Sequence, residues 1–267
     1  MRPPREPVVF IGHGSPMNIV RDNAFTRSLA LLGTELGKPR AALVVSAHWL
    51  TRGETRASVA TAPRTIHDFG GFPPELYLQR YPAPGAPDDA RAAIAAVRSV
   101  PVKPDPEMGL DHGAWSVLRH LWPDADVPVF QLSIDWNLPP ARHLELGREL
   151  LPLRDRGIMI LASGNVVHNL ALITPAEDDP DVPDWALEFD AWVERMLVSR
   201  DADALARYAE LSPAARIAVA MNDHYLPLLY AVGATASDDR LRFTHAGFQN
   251  GSISMRCFAC EQLGRSR

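Results

Sequence analysis

The 267-residue chain has only two cysteines, no marked excess of either charge and no long apolar run, and each shortage removes a class of protein. Cys257 and Cys260 alone cannot make a disulfide framework, and a single C-x-x-C lacks the second pair that a structural zinc site requires. If SISMRCFAC is a strand, residues three apart point to opposite faces, so the two thiols read as core residues rather than as a chelate. Lys+Arg 27 against Asp+Glu 32 leaves a formal charge of −5, interspersed along the chain, which argues against a nucleic-acid binder. The opening MRPPREPVVFIGHGSP holds four consecutive apolar residues after its basic start, too few for a signal-peptide core, and no stretch reaches a membrane span. The expectation is a cytoplasmic protein with no nucleic-acid or membrane partner and an undetermined oligomeric state.

What is present is an ordinary globular composition, 46% apolar and 22% charged, which excludes disorder and fibrous classes. Short β-branched runs recur at 8–14, 42–48, 127–135 and 157–168 and read as buried parallel strands. Between them, 22–36, 87–99, 112–121, 140–154, 184–199 and 222–233 have helical spacing. Near the end, RLRFTHAGF and GSISMRCF flank an Asn-Gly turn, a strong hairpin signal. The 24 prolines gather in loop clusters such as PPELYLQRYPAPGAP and VKPDPE, and the long loop 62–86 has the length of a lid. The fold class expected is α/β: one domain over 1–267, with a central mostly parallel sheet, helices on both faces and a C-terminal antiparallel hairpin.

The nine histidines carry the functional reading. Taken singly, each is more often an ordinary polar residue than a ligand. Their placement matters: His13 follows VVFIG, His48 follows LVVSA and His168 follows MILASGNVV, so three stand at or just beyond the carboxyl ends of three strands. In an open α/β sheet those ends form the ligand-binding edge. His224 opens the helix-like DHYLPLLYAVG, so four imidazoles from separate segments can converge on one point. Neutral imidazoles suit a borderline divalent metal such as Fe(II) or Zn(II) rather than Mg or Ca. Asp111 occupies an N-cap position in GLDHGAW, and His112 follows in the first turn, where a neutral ring can donate a hydrogen bond to a bound oxygen species. His120 and His143 lie in amphipathic stretches and read as core or surface residues. The Gly-x-Gly at Gly12 and Gly14 lacks the rest of a dinucleotide fingerprint.

These motifs together resemble the LigB-type extradiol ring-opening dioxygenases, in the branch similar to DOPA 4,5-dioxygenase. The segments that carry the resemblance are GHGSPMN, VVSAHW, IHDFGGFPPELY, GLDHGAW, PVFQLSID, LASGNVVHNL and DHYLPLL, in order along nearly the whole chain. The resemblance implies a non-haem metal, Fe(II) or Zn(II) at one mononuclear site, held by His13, His48 and His224, with His168 as a further ligand or as the acid/base. Relatives usually carry His-Pro before the last ligand's segment, whereas Asn222-Asp223 precede His224 here, which leaves Asp223 as an alternative ligand.

The function expected is oxygen insertion into a catechol such as DOPA or a related phenolic compound, with O₂ and a small aromatic substrate as partners. A catechol must lose protons on binding a metal, and His168 is the candidate base, with His112 as a second catalytic group. Trp49, Phe69, Phe72 and Tyr225 lie in or beside the motifs and are the candidate ring-binding wall, although each can equally be core packing. The alternative is a zinc-dependent hydrolase on the same scaffold, with His168 as base to a metal-bound water. A serine hydrolase is disfavoured because Ser15 and Ser163 lack the G-x-S-x-G elbow. A non-enzymatic metal or phenolic-ligand binding protein is the third class.

Overall fold

The computed structural model describes residues 4–175 and 181–262. In chain order its strands are β1 Val8–Gly12, β2 Ala41–Ser46, β3 Leu50–Thr51, β4 Thr55–Ser58, β5 Val102–Asp105, β6 Val129–Gln131, β7 Ile134–Asp135, β8 Ile158–Gly164, β9 Asp239–His245, β10 Phe248–Gln249, β11 Ile253–Ser254 and β12 Cys257–Gln262. Its helices are α1 Ala24–Leu36, α2 Pro74–Tyr77, α3 Pro87–Ala96, α4 His112–Leu121, α5 Pro140–Arg154, α6 Asp184–Ser199, α7 Ala202–Ala206, α8 Tyr208–Leu211, α9 Ala215–Ala218 and α10 Leu226–Gly233.

The main sheet is six-stranded in the order β6-β2-β8-β1-β12-β9. The first four strands run parallel, and β12 lies antiparallel between β1 and β9. Alternation along each strand sends its side chains to opposite faces. Val8 and Phe10, Leu43 and Val45, and Ile158 and Ile160 enter one core cluster with α5, α6 and α10. Val9 and Ile11, Val44, and Met159 and Leu161 enter the other, with α1 and α4. Both faces are therefore covered by helices, which is why these strands are nearly all apolar. The C-x-x-C pair obeys the same rule: Cys257 belongs to one core and Cys260 to the other, and burial pushes both thiols up to about 12.

Several sequence expectations shift in detail. The run 127–135 breaks into β6 and β7, and β7 leaves the main sheet to pair with β3. VKPDPE contributes a strand, β5, which pairs with β4 alone, so Pro104 sits in a two-stranded edge ribbon where its missing N–H is tolerated. The Asn-Gly turn does close a hairpin, with Asn250 and Gly251 at φ 52 and 71, but it joins only the short β10 and β11. The longer antiparallel pairing is between β9 and β12. The helix expected at 222–233 begins at Leu226, and α1 begins at Ala24 behind a capping box of Asn23 and Thr26.

His143 shows what a core histidine does here. It is fully buried; its Nε2 donates to the Leu138 carbonyl and its Nδ1 accepts from the Tyr230 hydroxyl, so the neutral ring is satisfied. Burial pushes its pKa from 6.5 down to about 4. The folded-state value is depressed, so this contribution to stability is present above pH 6.5 and is lost as the pH falls toward 4. At pH 5 the loss is about 2 kcal/mol. Denaturant unfolding of the wild type and of His143→Gln at pH 7.5 and 5 is expected to show their stability gap narrowing by about that amount. A gap that stays constant would contradict the assignment.

Candidate metal centre and substrate cavity

Three adjacent strands, β2, β8 and β1, end at the same edge of the sheet, and the histidines follow their last residues. His13 comes directly after β1, its backbone N–H bonded to the carbonyl of Gly164 at the end of β8. His48 comes two residues after β2, its backbone N–H bonded to Ser46 Oγ at 3.2 Å. Ser46 in turn donates to Asp111 Oδ1 at 2.6 Å, and the same oxygen accepts from Ala114 N–H at the start of α4. Asp111 is thus a helix cap, as its position suggests, and also the tie that holds the α4 N-terminus against the end of β2.

Two glycines permit this approach. A Cβ on Gly113 would lie 2.5 Å from Ser46 Oγ and 2.7 Å from His48 Cδ2; one on Gly164 would lie 2.2 Å from the His224 carbonyl oxygen. Any side chain at either position would force the histidine-bearing segments apart.

The rings of His13, His48 and His224 form a nearly equilateral triangle, with centroid separations of 5.0, 5.3 and 4.9 Å. A metal about 2.0–2.1 Å from an imidazole nitrogen lies about 3.2 Å from the ring centre, so three such ligands spread around one ion stand about 5 Å apart. The Nε2 atoms of His13 and His48 are 3.2 Å apart, the spacing of neighbouring ligand atoms on one ion, about 3.0–3.4 Å.

Their protonation suits a metal too. Ser163 Oγ donates to the Gly113 carbonyl at 2.6 Å, so it must accept from His13 Nδ1–H at 2.9 Å, which leaves the Nε2 lone pair free. Burial, and then the neighbouring imidazoles, push His13 and His48 well below the usual histidine range, so both are neutral. His224 Nδ1 is buried without a hydrogen bond, with Asp223 Oδ2 3.2 Å away. The donor set fits a divalent ion of borderline softness.

His168 and His112 stand beside this triangle in different ways. His168 stacks on His224 with centroids 3.5 Å apart and planes 7° from parallel. Two parallel rings at that separation cannot both aim an in-plane lone pair at one ion. Burial, and then His224, push His168 down to about 3, so it stands neutral. Its donor atom groups with those of Asp223 and His224, while the donors of His13, His48 and His112 form a separate group, the atoms within each group lying within 4.8 Å of one another. Asp223 shares the first group but does not line the cavity.

His112 is held by Asp68, a residue sequence reasoning did not single out. Asp68 Oδ1 accepts the His112 backbone N–H at 2.8 Å, and Oδ2 lies 2.9 Å from His112 Nδ1 and 3.6 Å from His48 Nδ1. Burial works against the Asp68 carboxylate, but the hydrogen bonds from His112 outweigh it and hold its pKa below the ordinary value. An ionised Asp68 can only accept, so a neutral His112 carries its proton on Nδ1 and presents a lone pair at Nε2. This revises the sequence expectation of a neutral donor: His112 donates at Nε2 only as an imidazolium. The one signal for Asp68 was its position in the IHDFGGF motif, beside His67.

The histidines open into a cavity of about 420 Å³ lined also by Ser15, Pro16, Phe69, Phe72, Leu170 and Ile173, within the range of small-molecule sites. Phe69 meets His112 and Phe72 edge-on, at 5.5 Å each. Of the four aromatic residues expected at the ring wall, Phe69 and Phe72 line the cavity and Trp49 and Tyr225 do not. Tyr225 is fully buried, donates its hydroxyl to the Leu205 carbonyl and packs on Tyr208. The 62–86 loop is tied down rather than free, by Trp115 Nε1 to the Ile66 carbonyl and Tyr81 hydroxyl to the Trp122 carbonyl. His67 faces the Gln79 carbonyl and Trp115, outside the cavity.

Comparison with known proteins gives the family. Residues 7–255 match the family model for the catalytic LigB subunit of aromatic ring-opening dioxygenase. A 4,5-DOPA dioxygenase extradiol of Escherichia coli K12 is 45% identical over 255 residues, covering 94% of this chain and 93% of the relative. One from Beta vulgaris is 35% identical over 251 residues, covering 92% of each. A crystal structure of an uncharacterized Escherichia coli K12 protein superposes with a TM-score of 0.81 at 39% identity, over 96% of this chain and 99% of that one. Among the described residues, no helix is long and apolar enough to cross a membrane.

Proposed function

The chain belongs to the LigB family of aromatic ring-opening dioxygenases and is a metal-dependent extradiol dioxygenase; from that premise we propose that His13, His48 and His224 hold Fe(II) and that His168 and His112 handle the protons of a catechol such as DOPA. The observation that carries this assignment is the imidazole triangle with sides near 5 Å at the strand ends. His168 is assigned outside the ligand set because its ring is parallel to that of His224. When bound, the ion supplies Lewis acidity toward the two catechol oxygens and, as iron, the redox capacity toward O₂ that d¹⁰ zinc lacks.

The protein's own groups do the rest. The Phe69 and Phe72 faces orient the aromatic ring and keep water off it. His168, neutral, half-buried and lining the cavity, accepts a catechol proton. His112 Nε2, presented to the cavity by the Asp68 contact at Nδ1, is the second proton site.

The test is to strip the protein with a chelator, reload it anaerobically with Fe(II) or Zn(II), and follow O₂ uptake and the yellow ring-opened product with DOPA and other catechols. Fe(II)-loaded protein is expected to consume one O₂ per product and Zn(II)-loaded protein none. Silence across the catechol panel, or equal rates with both metals, would refute the proposal.

A further inference from the structure

Among the described residues, two polar side chains other than histidine line the cavity, Ser15 and Asn250. Each has one bonding direction taken and the opposite one open. Ser15 Oγ accepts from Met17 N–H at 3.2 Å, and none of the described residues accepts its hydroxyl proton. Asn250 Nδ2 donates to the Thr174 carbonyl at 2.8 Å, and none of them donates to its Oδ1. The amide cannot turn over, because Oδ1 would then face the Thr174 carbonyl oxygen. The Asn250 backbone carbonyl also accepts from Thr174 N–H at 2.9 Å, so the residue is held at two points, at a φ of 52 that asparagine tolerates. The wall therefore offers one free donor and one free acceptor, both fixed in place.

The two residues stand on neighbouring segments. A Cβ on Gly14 would lie 2.7 Å from the side-chain oxygen of Gln249, and Asn18 Nδ2 donates both to that oxygen at 2.9 Å and to the His13 carbonyl at 3.3 Å. A catechol seated with its diol toward the histidines projects its ring substituent along this wall. Every described lining residue outside the histidine cluster is uncharged, so a lone charge on that substituent has no counter-ion there, whereas a zwitterion carries its own. We propose that Ser15 and Asn250 form a subsite for an α-amino-acid end of the substrate, the Ser15 hydroxyl donating to its carboxylate and Asn250 Oδ1 accepting from its ammonium. This rests on the catechol dioxygenase reading above and deepens it: the substrate class is a catechol with an amino-acid side chain, of which DOPA is one.

Truncated substrates test each contact. Dopamine lacks the carboxylate, and 3-(3,4-dihydroxyphenyl)propanoate lacks the ammonium. On the Fe(II)-loaded protein, kcat/KM for DOPA is expected to exceed that for each by about tenfold, the low end for a hydrogen bond to a charged group, since the mouth is open to water. Ser15→Ala is expected to bring the DOPA-to-dopamine ratio to about one while the DOPA-to-propanoate ratio holds, and Asn250→Gly to do the reverse. Ser15→Thr, which keeps the hydroxyl, should restore the first ratio. General loosening of the wall acts on all three substrates alike and cancels in these ratios. Anaerobic calorimetry on the Zn(II)-loaded protein should give the same pattern without turnover. Ratios that stay put in both variants, or fall together in either, would overturn the subsite while catechol turnover leaves the dioxygenase assignment intact. A wild type that turns over no catechol would overturn that assignment, and this inference with it.

Discussion

Alanine at position 13 is expected to abolish metal retention and turnover together. His13 is the hub of the triangle: its ring neighbours those of His48, His224 and His112, and its backbone is tied to the end of β8. Without its Nε2, two imidazoles remain, too few to hold a divalent ion against dialysis. Metal content is expected to fall from about one per chain to less than about a tenth, and kcat/KM by at least about 10³-fold, equivalent to about 4 kcal/mol of transition-state stabilisation. His48→Ala should behave alike. Ser163→Ala is the graded comparison, since it leaves the ligand but removes the acceptor that fixes the His13 tautomer. Its expected cost is about 10–100-fold in metal affinity, with kcat recovered when metal is supplied in excess. Elemental analysis after dialysis, with circular dichroism to confirm folding, decides the matter. A His13→Ala protein that still binds one ion per chain would dissolve the shared centre.

The elements that could be read from sequence are those whose signal is local. Helices at 112–121, 140–154 and 184–199 are found with those boundaries, and His13, His48 and His168 do follow the ends of adjacent strands. Period-two alternation also placed Cys257 and Cys260 in opposite cores. What escaped depends on tertiary closure. Tyr225 is next to His224 in sequence, but consecutive residues at a helix start diverge by about 100°, and the ring enters the core. The stacking that separates His168 from the triangle joins residues 56 positions apart. The His112 tautomer depends on Asp68, 44 residues upstream in an irregular loop with no periodicity to read. The folding of that loop against α4, through Ile66 and Trp115, brings the carboxylate to the site.

That carboxylate supports the second prediction: Asp68→Asn is expected to lower kcat by about 10²–10⁴-fold while KM for a catechol stays within about threefold. The asparagine is nearly the same size and can keep one oxygen on the His112 backbone N–H. Its amide nitrogen then faces His112 Nδ1 and donates to it, which drives the ring proton to Nε2 and leaves the cavity side with a donor where the wild type has a lone pair. The carboxylate that accepts from Nδ1 goes as well. Asp68→Asn should therefore be nearly silent in a His112→Ala background, because both changes remove the same proton site. Metal content is expected to hold, since Asp68 approaches His48 Nδ1 only at 3.6 Å, too far for a strong hydrogen bond. Equal losses from Asp68→Asn in both backgrounds, or a rise in KM with kcat preserved, would show that Asp68 shapes the loop and has no hold on the proton.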